Sequence, residues 1–273
     1  MRKLSTTTLL LALLGIPASA QPVPQIRPGG VVRVSAEAPT GCALGERRWE
    51  PAGDTCWFPI DLLTAAGELE LEVRTSGGSR ISRVEVGDYP YDLQVLEIAD
   101  DSRVNLSKEH EERAARERQR IVPLFTLEGP QQFGLPLYPP LDNLPSGGRF
   151  GSRRIINGEP RSPHTGSDFS ASTGTPIYSV ANGRVALAEE HFFAGNSVFI
   201  DHGGGLLSMY FHLSEIDVEP GQTVKRGERV GAVGATGRVT GPHLHFGLRW
   251  HGARVDPELL IGSVSEVPDI ALQ

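Results

Sequence analysis

Two short motifs in the C-terminal half of the chain carry side chains that bind divalent metals. One runs from His164 to Asp168, and the other is formed by His243 and His245. Two imidazoles and a carboxylate, with a fourth position left to water, are typical of a catalytic zinc, whereas structural zinc sites use four protein ligands, often thiolates. The only two cysteines lie far upstream. The motifs therefore indicate the chemistry of a zinc hydrolase.

The other histidines of the chain cluster near these motifs, since all but His110 lie in the C-terminal half. Alternate side chains of an extended strand share a face, so His243 and His245 should point the same way. Tyr210 and His212 have the same spacing and should also share a face. Two neighbouring strands would then bring three imidazoles to one surface, and the first motif would join them from a loop.

At these positions the chain resembles the lysostaphin-like or LytM-type zinc metallopeptidases, peptidase family M23. The resemblance covers residues from about 130 to 262. It is carried by Phe150-Gly151-Ser152-Arg153-Arg154, Asn157-Gly158, Pro160-Arg161, Pro163-His164, Gly166, Asp168, Gly174-Thr175-Pro176, Asp201-His202-Gly203, Tyr210, His212-Leu213-Ser214, Gly237-Arg238 and Thr240-Gly241-Pro242-His243-Leu244-His245.

The resemblance implies a residue-by-residue assignment of the site. His164, Asp168 and His245 would bind one zinc ion per chain, while His212 and His243 would stand beside the metal without binding it. The implied activity is that of a metalloendopeptidase that hydrolyses peptide cross-links of peptidoglycan with a zinc-activated water. The two non-ligand histidines would act as general acid/base and oxyanion stabilisers, and the sequence does not divide these roles between them.

Several residues near the motifs are candidates for binding stem peptides of peptidoglycan. Arg153, Arg154 and Arg161 could pair with substrate carboxylates, although each could equally be an ordinary surface arginine. Asn157 could hydrogen-bond substrate or shape an Asn-Gly turn. Tyr210 could donate to the oxyanion or belong to the core.

Two other functional classes compete with a hydrolase. The glycine-punctuated strands at residues 221–234 also resemble the barrel-sandwich carriers of lipoyl and biotinyl groups. Such a carrier needs a lysine displayed in a hairpin, and the hairpin at 205–208 has none. The second alternative is a non-enzymatic, wall-binding activator of an amidase that uses the same groove. It predicts that replacing His212 or His243 leaves the function intact.

The composition and the hydrophobic pattern predict a mostly β protein. The 273 residues include 32 glycines and 21 prolines, which favours turn-rich β structure. We expect a small N-terminal β domain at 21–106, a linking helix and linker at 107–128, and a catalytic domain at 129–273. By the resemblance, the catalytic domain would be an antiparallel, barrel-sandwich-like fold of the LytM or duplicated hybrid motif type.

Residues 1–20 have the features of a signal peptide: two basic residues, an apolar run and the small residues Ala-Ser-Ala. We expect a soluble exported protein, periplasmic or secreted, without a membrane anchor. In that compartment Cys42 and Cys56 should form a disulfide. The mature chain would carry 24 basic and 33 acidic residues, a net charge of −9, which argues against a nucleic-acid partner. A regulatory protein partner is a further expectation.

The remaining histidines of the C-terminal half are not expected to take part in metal binding or catalysis. His202 follows Asp201 in a glycine-rich turn and is expected to support the fold. His191 and His251 are expected at the surface.

Overall fold

The computed structural model describes residues 23–145 and 149–272 of the chain. The predicted signal peptide, residues 1–20, lies outside these ranges. The described chain is mostly β-strand with one α-helix, which confirms the predicted fold class. Among the helices that the structure describes, none has the length and apolar character needed to cross a membrane.

The N-terminal strands form two small sheets. Their bounds are β1 (Gln25–Ile26), β2 (Val31–Ser35), β3 (Pro39–Leu44), β4 (Arg47–Trp49), β5 (Thr55–Pro59), β6 (Gly67–Thr75) and β7 (Gly78–Val86). Five of them form a sheet in the order β1-β7-β6-β3-β4, and β2 pairs antiparallel with β5. The alternation in β6 is that of a strand with one buried face, because Leu71 and Val73 are buried while the glutamates between and before them face outward.

A disulfide joins the two N-terminal sheets. Cys42 on β3 and Cys56 on β5 are bonded, with Cα atoms 5.6 Å apart, as the sequence predicts. Closing a loop of this size contributes about 3 kcal/mol on the chain-entropy model. Both sulfurs lie in the apolar core of the N-terminal unit.

The helix after the N-terminal sheets lies against the outer face of the C-terminal sheet. It is α1 (Lys108–Ile121), and the Ser107 hydroxyl caps it by accepting from His110 N. No residue of α1 is fully buried, and the helix contacts the sheet through ion pairs such as Arg120–Glu189, at 2.7 Å, and through the partly buried Ile121. Just beyond its end, Leu124 and Phe125 pack on the same face.

The C-terminal half is one large antiparallel sheet with smaller additions. Strand β8 (Leu93–Leu96) precedes this half in sequence. The strands of the C-terminal half are β9 (Arg153–Ile156), β10 (Glu159–Arg161), β11 (Gly166–Ser170), β12 (Pro176–Tyr178), β13 (Gly183–His191), β14 (Gly195–Asp201), β15 (Leu206–Ile216), β16 (Thr223–Val224), β17 (Arg229–Val233), β18 (His243–Trp250) and β19 (Ala253–Val255). The main sheet has the order β11-β18-β15-β14-β13-β16 and does not close into a barrel. Strands β12 and β17 pair with each other, β17 also pairs with β15, and β19 pairs with β18.

A three-stranded sheet connects the two halves of the chain. Strand β8 follows the N-terminal sheets in sequence, yet it runs parallel to β9, and β9 pairs with β10. Behind these strands Ile98, Val104 and Ile156 form a small apolar cluster. A segment from the N-terminal side is therefore built into the region that leads to the first metal motif.

The end of the chain returns to the N-terminal unit. Ile270 N donates to Arg33 O at 2.9 Å, and the Ile270 side chain enters the N-terminal core. Trp49 stacks on His251 with ring centroids 4.6 Å apart, and Arg27 pairs with the buried Asp256 at 2.7 Å. These contacts fix the N-terminal unit against the C-terminal sheet.

Candidate metal centre and its cleft

Three adjacent strands and one loop bring the five predicted site residues together. Asp168 on β11 is paired directly with His245 on β18, and His243 lies two residues before His245 on the same strand. His212 comes from β15, the other neighbour of β18. His164 lies in the loop that enters β11. We call these five residues the cleft floor.

Three ligand atoms of the cleft floor converge on one point. His164 Nε2 and His245 Nδ1 are 2.8 Å apart, and Asp168 Oδ1 lies 3.0 Å from the first and 2.8 Å from the second. Tetrahedral zinc with bonds of about 2.0–2.1 Å would separate such atoms by roughly 3.3 Å. The three side chains therefore fit a metal after outward movements of a few tenths of an ångström.

The backbone fixes the tautomer of His164 in the form that a metal requires. His164 Nδ1–H donates to Arg149 O at 2.9 Å, so Nε2 of the neutral ring carries a lone pair toward the other two ligand atoms. The ring is buried, and burial lowers the pKa of His164 to about 4. His164 is therefore uncharged at neutral pH.

Gly166 makes room for the ring of His245, the other imidazole predicted to bind the metal. A Cβ on Gly166 would lie 2.7 Å from His245 Nε2 and 2.5 Å from Phe246 O. On the opposite side, Phe211 stacks on His245 with ring centroids 5.2 Å apart and an interplanar angle of 5°. The imidazole of His245 is thus held between a backbone and an aromatic face.

Asp168 is held as a carboxylate with one oxygen toward the ligand cluster. Burial alone would raise the pKa of Asp168, but the close contacts of its carboxylate with the His164 and His245 rings outweigh burial and hold this pKa well below its usual value. The second oxygen, Oδ2, accepts from Arg154 Nη2 at 3.0 Å, and Arg154 Nε donates to Gln94 Oε1 at 3.0 Å. A chain of hydrogen bonds therefore runs from β8 to a predicted metal ligand.

A β-bulge directs His212 into the cleft. Pairing between β14 and β15 shifts so that Phe211 and His212 together stand opposite Ser197. His212 has a φ of 69°, in the left-handed region, and its N–H donates to Ala194 O at 2.8 Å. Because of the extra residue, Phe211 and His212 both line the cleft.

The bulge makes the predicted shared face of Tyr210 and His212 wrong, and the structure agrees with the alternative that Tyr210 belongs to the core. Tyr210 is fully buried in the core, and its hydroxyl accepts from Val180 N at 3.0 Å. It does not share a face with His212, because strict alternation is broken at the bulge. A position in the core does not fit substrate binding or oxyanion donation.

The two non-ligand histidines each have one nitrogen satisfied by the backbone. His212 Nδ1–H donates to Thr236 O at 2.9 Å, and His243 Nδ1–H donates to Gly241 O at 2.8 Å. In the neutral rings the Nε2 lone pairs are then free. His243 Nε2 lies 3.7 Å from Asp168 Oδ1. Burial, followed by the charges of His245 and His243, lowers the pKa of His212 to about 3.

The cleft floor lies in a cleft of about 810 Å³. One wall comes from the β8 region, through Gln94, Leu96 and Ile98. The cleft is also lined by Arg154, which was predicted to bind substrate and instead contacts Asp168. Arg161 lines it as well, and Arg161 Nη2 donates to Val104 O at 3.0 Å.

Two predicted substrate contacts lie elsewhere. Arg153 is exposed outside the cleft lining, with its guanidinium 5.6 Å from the centre of the Tyr89 ring. Asn157 has a φ of 49° in an Asn-Gly turn, and its side-chain amide makes two hydrogen bonds to the backbone of Ile98. Asn157 therefore supports the cleft wall from behind.

Other cleft residues were missed at the level of sequence. Arg238 lines the cleft, although the Gly237-Arg238 motif by itself indicates no role for this side chain. Nothing in the sequence of β8 indicates that its side chains line the cleft, because β8 pairs with a strand about sixty positions further along the chain. His202 is buried with both ring nitrogens hydrogen-bonded, which agrees with a structural role. His191 and His251 are not surface residues: His191 is buried, and the His251 ring packs on Trp49.

Comparisons with known proteins agree on one family. The family model described as peptidase family M23 matches residues 162–257, a range that includes the whole cleft floor. A protein of Pseudomonas aeruginosa described as a candidate M23 peptidase has a similar structure. The TM-score is 0.66 at 35% identity, and the match covers 89% of this chain and 96% of that one.

Two curated relatives are similar over a shorter range. The peptidoglycan DD-endopeptidase ShyA of Vibrio cholerae is 49% identical over 94 residues. The DD-carboxypeptidase/endopeptidase Mpg of Neisseria meningitidis is 43% identical over 94 residues. Each match covers 34% of this chain and 22% of the relative. The chain thus spans about a fifth of the length of these curated relatives.

Proposed function

The chain belongs to peptidase family M23, and from this premise we propose that it is an exported zinc metalloendopeptidase that hydrolyses peptide cross-links of peptidoglycan. The observation that carries the proposal is the convergence of His164, Asp168 and His245 beside two histidines with free Nε2 lone pairs. A peptidoglycan substrate is supported by the relative described as a peptidoglycan DD-endopeptidase.

The proposed division of labour follows from which atoms are free. His164 Nε2, Asp168 Oδ1 and His245 Nδ1 would hold one zinc ion. Zinc, when bound, supplies a water of lowered pKa and polarises a peptide carbonyl. Arg154 keeps the Asp168 carboxylate oriented, and Phe211 shields one face of the His245 ring.

The two remaining histidines would carry out the proton transfers. Nε2 of one of them, His212 or His243, accepts a proton from the attacking water and returns it to the leaving amine. The other, when it carries a proton on Nε2, would stabilise charge on the carbonyl oxygen by hydrogen bonding. Their neutral tautomers, set by Thr236 O and Gly241 O, leave Nε2 ready to accept a proton. The division of these two roles stays open.

Export is supported by two features. Residues 1–20 have the pattern of a signal peptide, and the Cys42–Cys56 disulfide suits an oxidising compartment. The proposed mature enzyme consists of an N-terminal β domain at 21–106, a linking helix and linker at 107–128, and a metallopeptidase domain at 129–273.

The direct test is digestion of cross-linked peptidoglycan by the zinc-loaded mature chain, with the released fragments identified by mass spectrometry. We expect cross-linked dimers to disappear and new free amines to appear. His243→Ala serves as the matched control and should release no such fragments. Intact dimers after incubation with the parent chain would contradict the proposal and would favour a non-enzymatic role for the cleft.

A further inference from the structure

The cleft concentrates positive charge in a chain that is acidic overall. The formal net charge of the full chain is −7, yet four arginines line the cleft: Arg149, Arg154, Arg161 and Arg238. Among the described residues of the lining, Asp168 is the one acidic side chain, and Arg154 already pairs with it. The remaining arginines of the lining have no carboxylate partner among the described residues.

Arg238 is held in place without an anionic partner. Its backbone N–H donates to Phe193 O at 2.9 Å, and its guanidinium carbon lies 4.5 Å from the centre of the Phe193 ring. Within residues 23–145 and 149–272, no hydrogen-bond acceptor contacts its guanidinium. Burial, together with the positive charges of Arg154 and Arg161, lowers the pKa of Arg238 to about 10. An anion beside it would relieve this unfavourable environment.

Arg161 leaves most of its donors free as well. Its one hydrogen bond in the described structure goes to Val104 O, a neutral acceptor, and uses Nη2. Guanidinium groups present five donors in a fixed planar arrangement that matches a carboxylate. Arg161 and Arg238, which we call the arginine rim, therefore offer unused donors on the same cleft.

The arginine rim is close in sequence to the residues of the cleft floor. Arg161 precedes His164 by three residues, and Arg238 precedes His243 by five. Both arginines lie on the segments that lead to site histidines, and the charge of Arg161 acts on Arg238, so a group bound between them would lie in the same cleft as the cleft floor. Arg154 is not part of this site, because its donors already contact Asp168 and Gln94.

We propose that Arg161 and Arg238 form a subsite for a free carboxylate on the substrate residue that supplies the leaving amine. The inference rests on the proposed peptidase function and names its specificity. An ordinary internal peptide bond has no free carboxylate on that residue, because it is used in the next peptide bond. A cross-link made through the side-chain amine of a diamino acid leaves a carboxylate free when that residue has a second carboxylate on its side chain or ends its stem peptide. The subsite would therefore select cross-links over ordinary peptide bonds.

The test compares two synthetic cross-linked peptides that differ at one group. One has a free carboxylate on the amine-donating residue, and the other has a carboxamide there. The zinc-loaded parent should prefer the carboxylate peptide about 10- to 100-fold in kcat/KM, mainly through KM, because hydrogen bonds to charged groups are strong. Arg238→Gln and Arg161→Gln should each lose most of this preference, and Arg238→Lys should retain part of it.

A distant arginine provides the matched control. Arg80→Gln changes an exposed residue on β7 and should leave the preference unchanged. The subsite is contradicted if the parent cuts both peptides equally well. It is also contradicted if Arg238→Gln and Arg161→Gln slow both peptides by the same factor. Unfolding curves of each variant would show that it is folded.

A binding measurement distinguishes an error in the proposed subsite from an error in the proposed peptidase function. The affinity of His243→Ala for the two peptides can be measured by calorimetry, with and without Arg238→Gln. A carboxylate preference that disappears with Arg238→Gln supports the subsite even if the parent hydrolyses neither peptide, an outcome that would contradict the peptidase function alone. Equal binding of the two peptides overturns the subsite while hydrolysis by the parent still stands.

Discussion

The cleft floor and the arginine rim line the same cleft but differ in how completely the protein satisfies their polar groups. On the floor, His164, His212 and His243 each donate from Nδ1 to a backbone carbonyl, and Asp168 is bonded to Arg154. On the rim, the guanidinium groups lack anionic partners among the described residues. The floor is thus preorganised for a small ion, whereas the rim is completed by an anionic ligand.

The largest effect should follow from breaking the ligand set of the floor. His245→Ala removes one ligand atom, so hydrolysis should fall at least about 10³-fold, since metal catalysis supplies several kcal/mol of transition-state stabilisation. Adding zinc to the parent protein, after a chelator has removed its metal, should raise the temperature midpoint of unfolding, because the metal binds only the folded state. The variant should show a much smaller rise. An equal rise in parent and variant would remove His245 from the ligand set.

The next effect concerns the histidines that do not bind the metal. His212→Ala and His243→Ala should each reduce kcat by about 10²- to 10⁴-fold, the range expected for loss of general acid–base catalysis. Their unfolding midpoints should still rise on adding zinc, as for the parent. The measurement is kcat of the parent and of each variant on cross-linked peptidoglycan fragments at one fixed zinc concentration. Unchanged kcat in both variants would favour the activator alternative.

A smaller effect is expected behind the floor, at Arg154. Arg154→Met should weaken zinc binding about 10- to 100-fold, because residues that orient a metal ligand typically contribute this much. Competition with a chromophoric chelator measures the affinity. Gln94→Ala is the graded control: Gln94 touches Arg154 but not Asp168, so the loss should be smaller. An unaltered zinc affinity in Arg154→Met would show that the Asp168 carboxylate does not depend on this contact.

The smallest expected effect is on the pH dependence of stability, and it concerns His202, a buried histidine outside the cleft floor. Both nitrogens of His202 have protein partners, and burial lowers the pKa of His202 to about 4. The unfolded state therefore binds more protons between pH 6.5 and 4, so this stability is present above pH 6.5 and is lost as the pH falls toward 4. The contribution is up to about 3 kcal/mol.

Metal-free parent and His202→Gln, unfolded in denaturant across this pH range, test the assignment. The parent should lose more stability than the variant between pH 7 and pH 4, and the zinc affinity of His202→Gln at pH 7 should match that of the parent. Identical pH dependence in the two proteins would mean that His202 does not contribute to acid sensitivity.

The sequence predicted what depends on local spacing. The alternation of β6 and the common strand of His243 and His245 follow from spacing within a few residues. The disulfide follows from the presence of two cysteines in a chain with the pattern of a signal peptide, and the structure has all three features. The bulge on β15 could not be predicted from alternation, because it depends on the register with β14. The prediction that Tyr210 shares a face with His212 is therefore wrong, whereas the alternative that places Tyr210 in the core agrees with the structure.

Long-range pairing explains what else was missed. Gln94 reaches the metal-site region because β8 pairs in parallel with β9, and nothing in residues 93–96 indicates that partner. His251 lies under Trp49 because the N-terminal unit packs on the C-terminal sheet. Such contacts depend on tertiary packing, which a pattern within one segment does not encode.

In the proposed site, three residues of the cleft floor bind one metal ion and the other two do not. Mass-spectrometric quantification of zinc in the purified parent, His245→Ala and His212→Ala, after identical loading and dialysis, tests it most directly. We predict about one zinc per chain in the parent and in His212→Ala, and little zinc in His245→Ala. Zinc retained by His245→Ala but lost from His212→Ala would contradict the account.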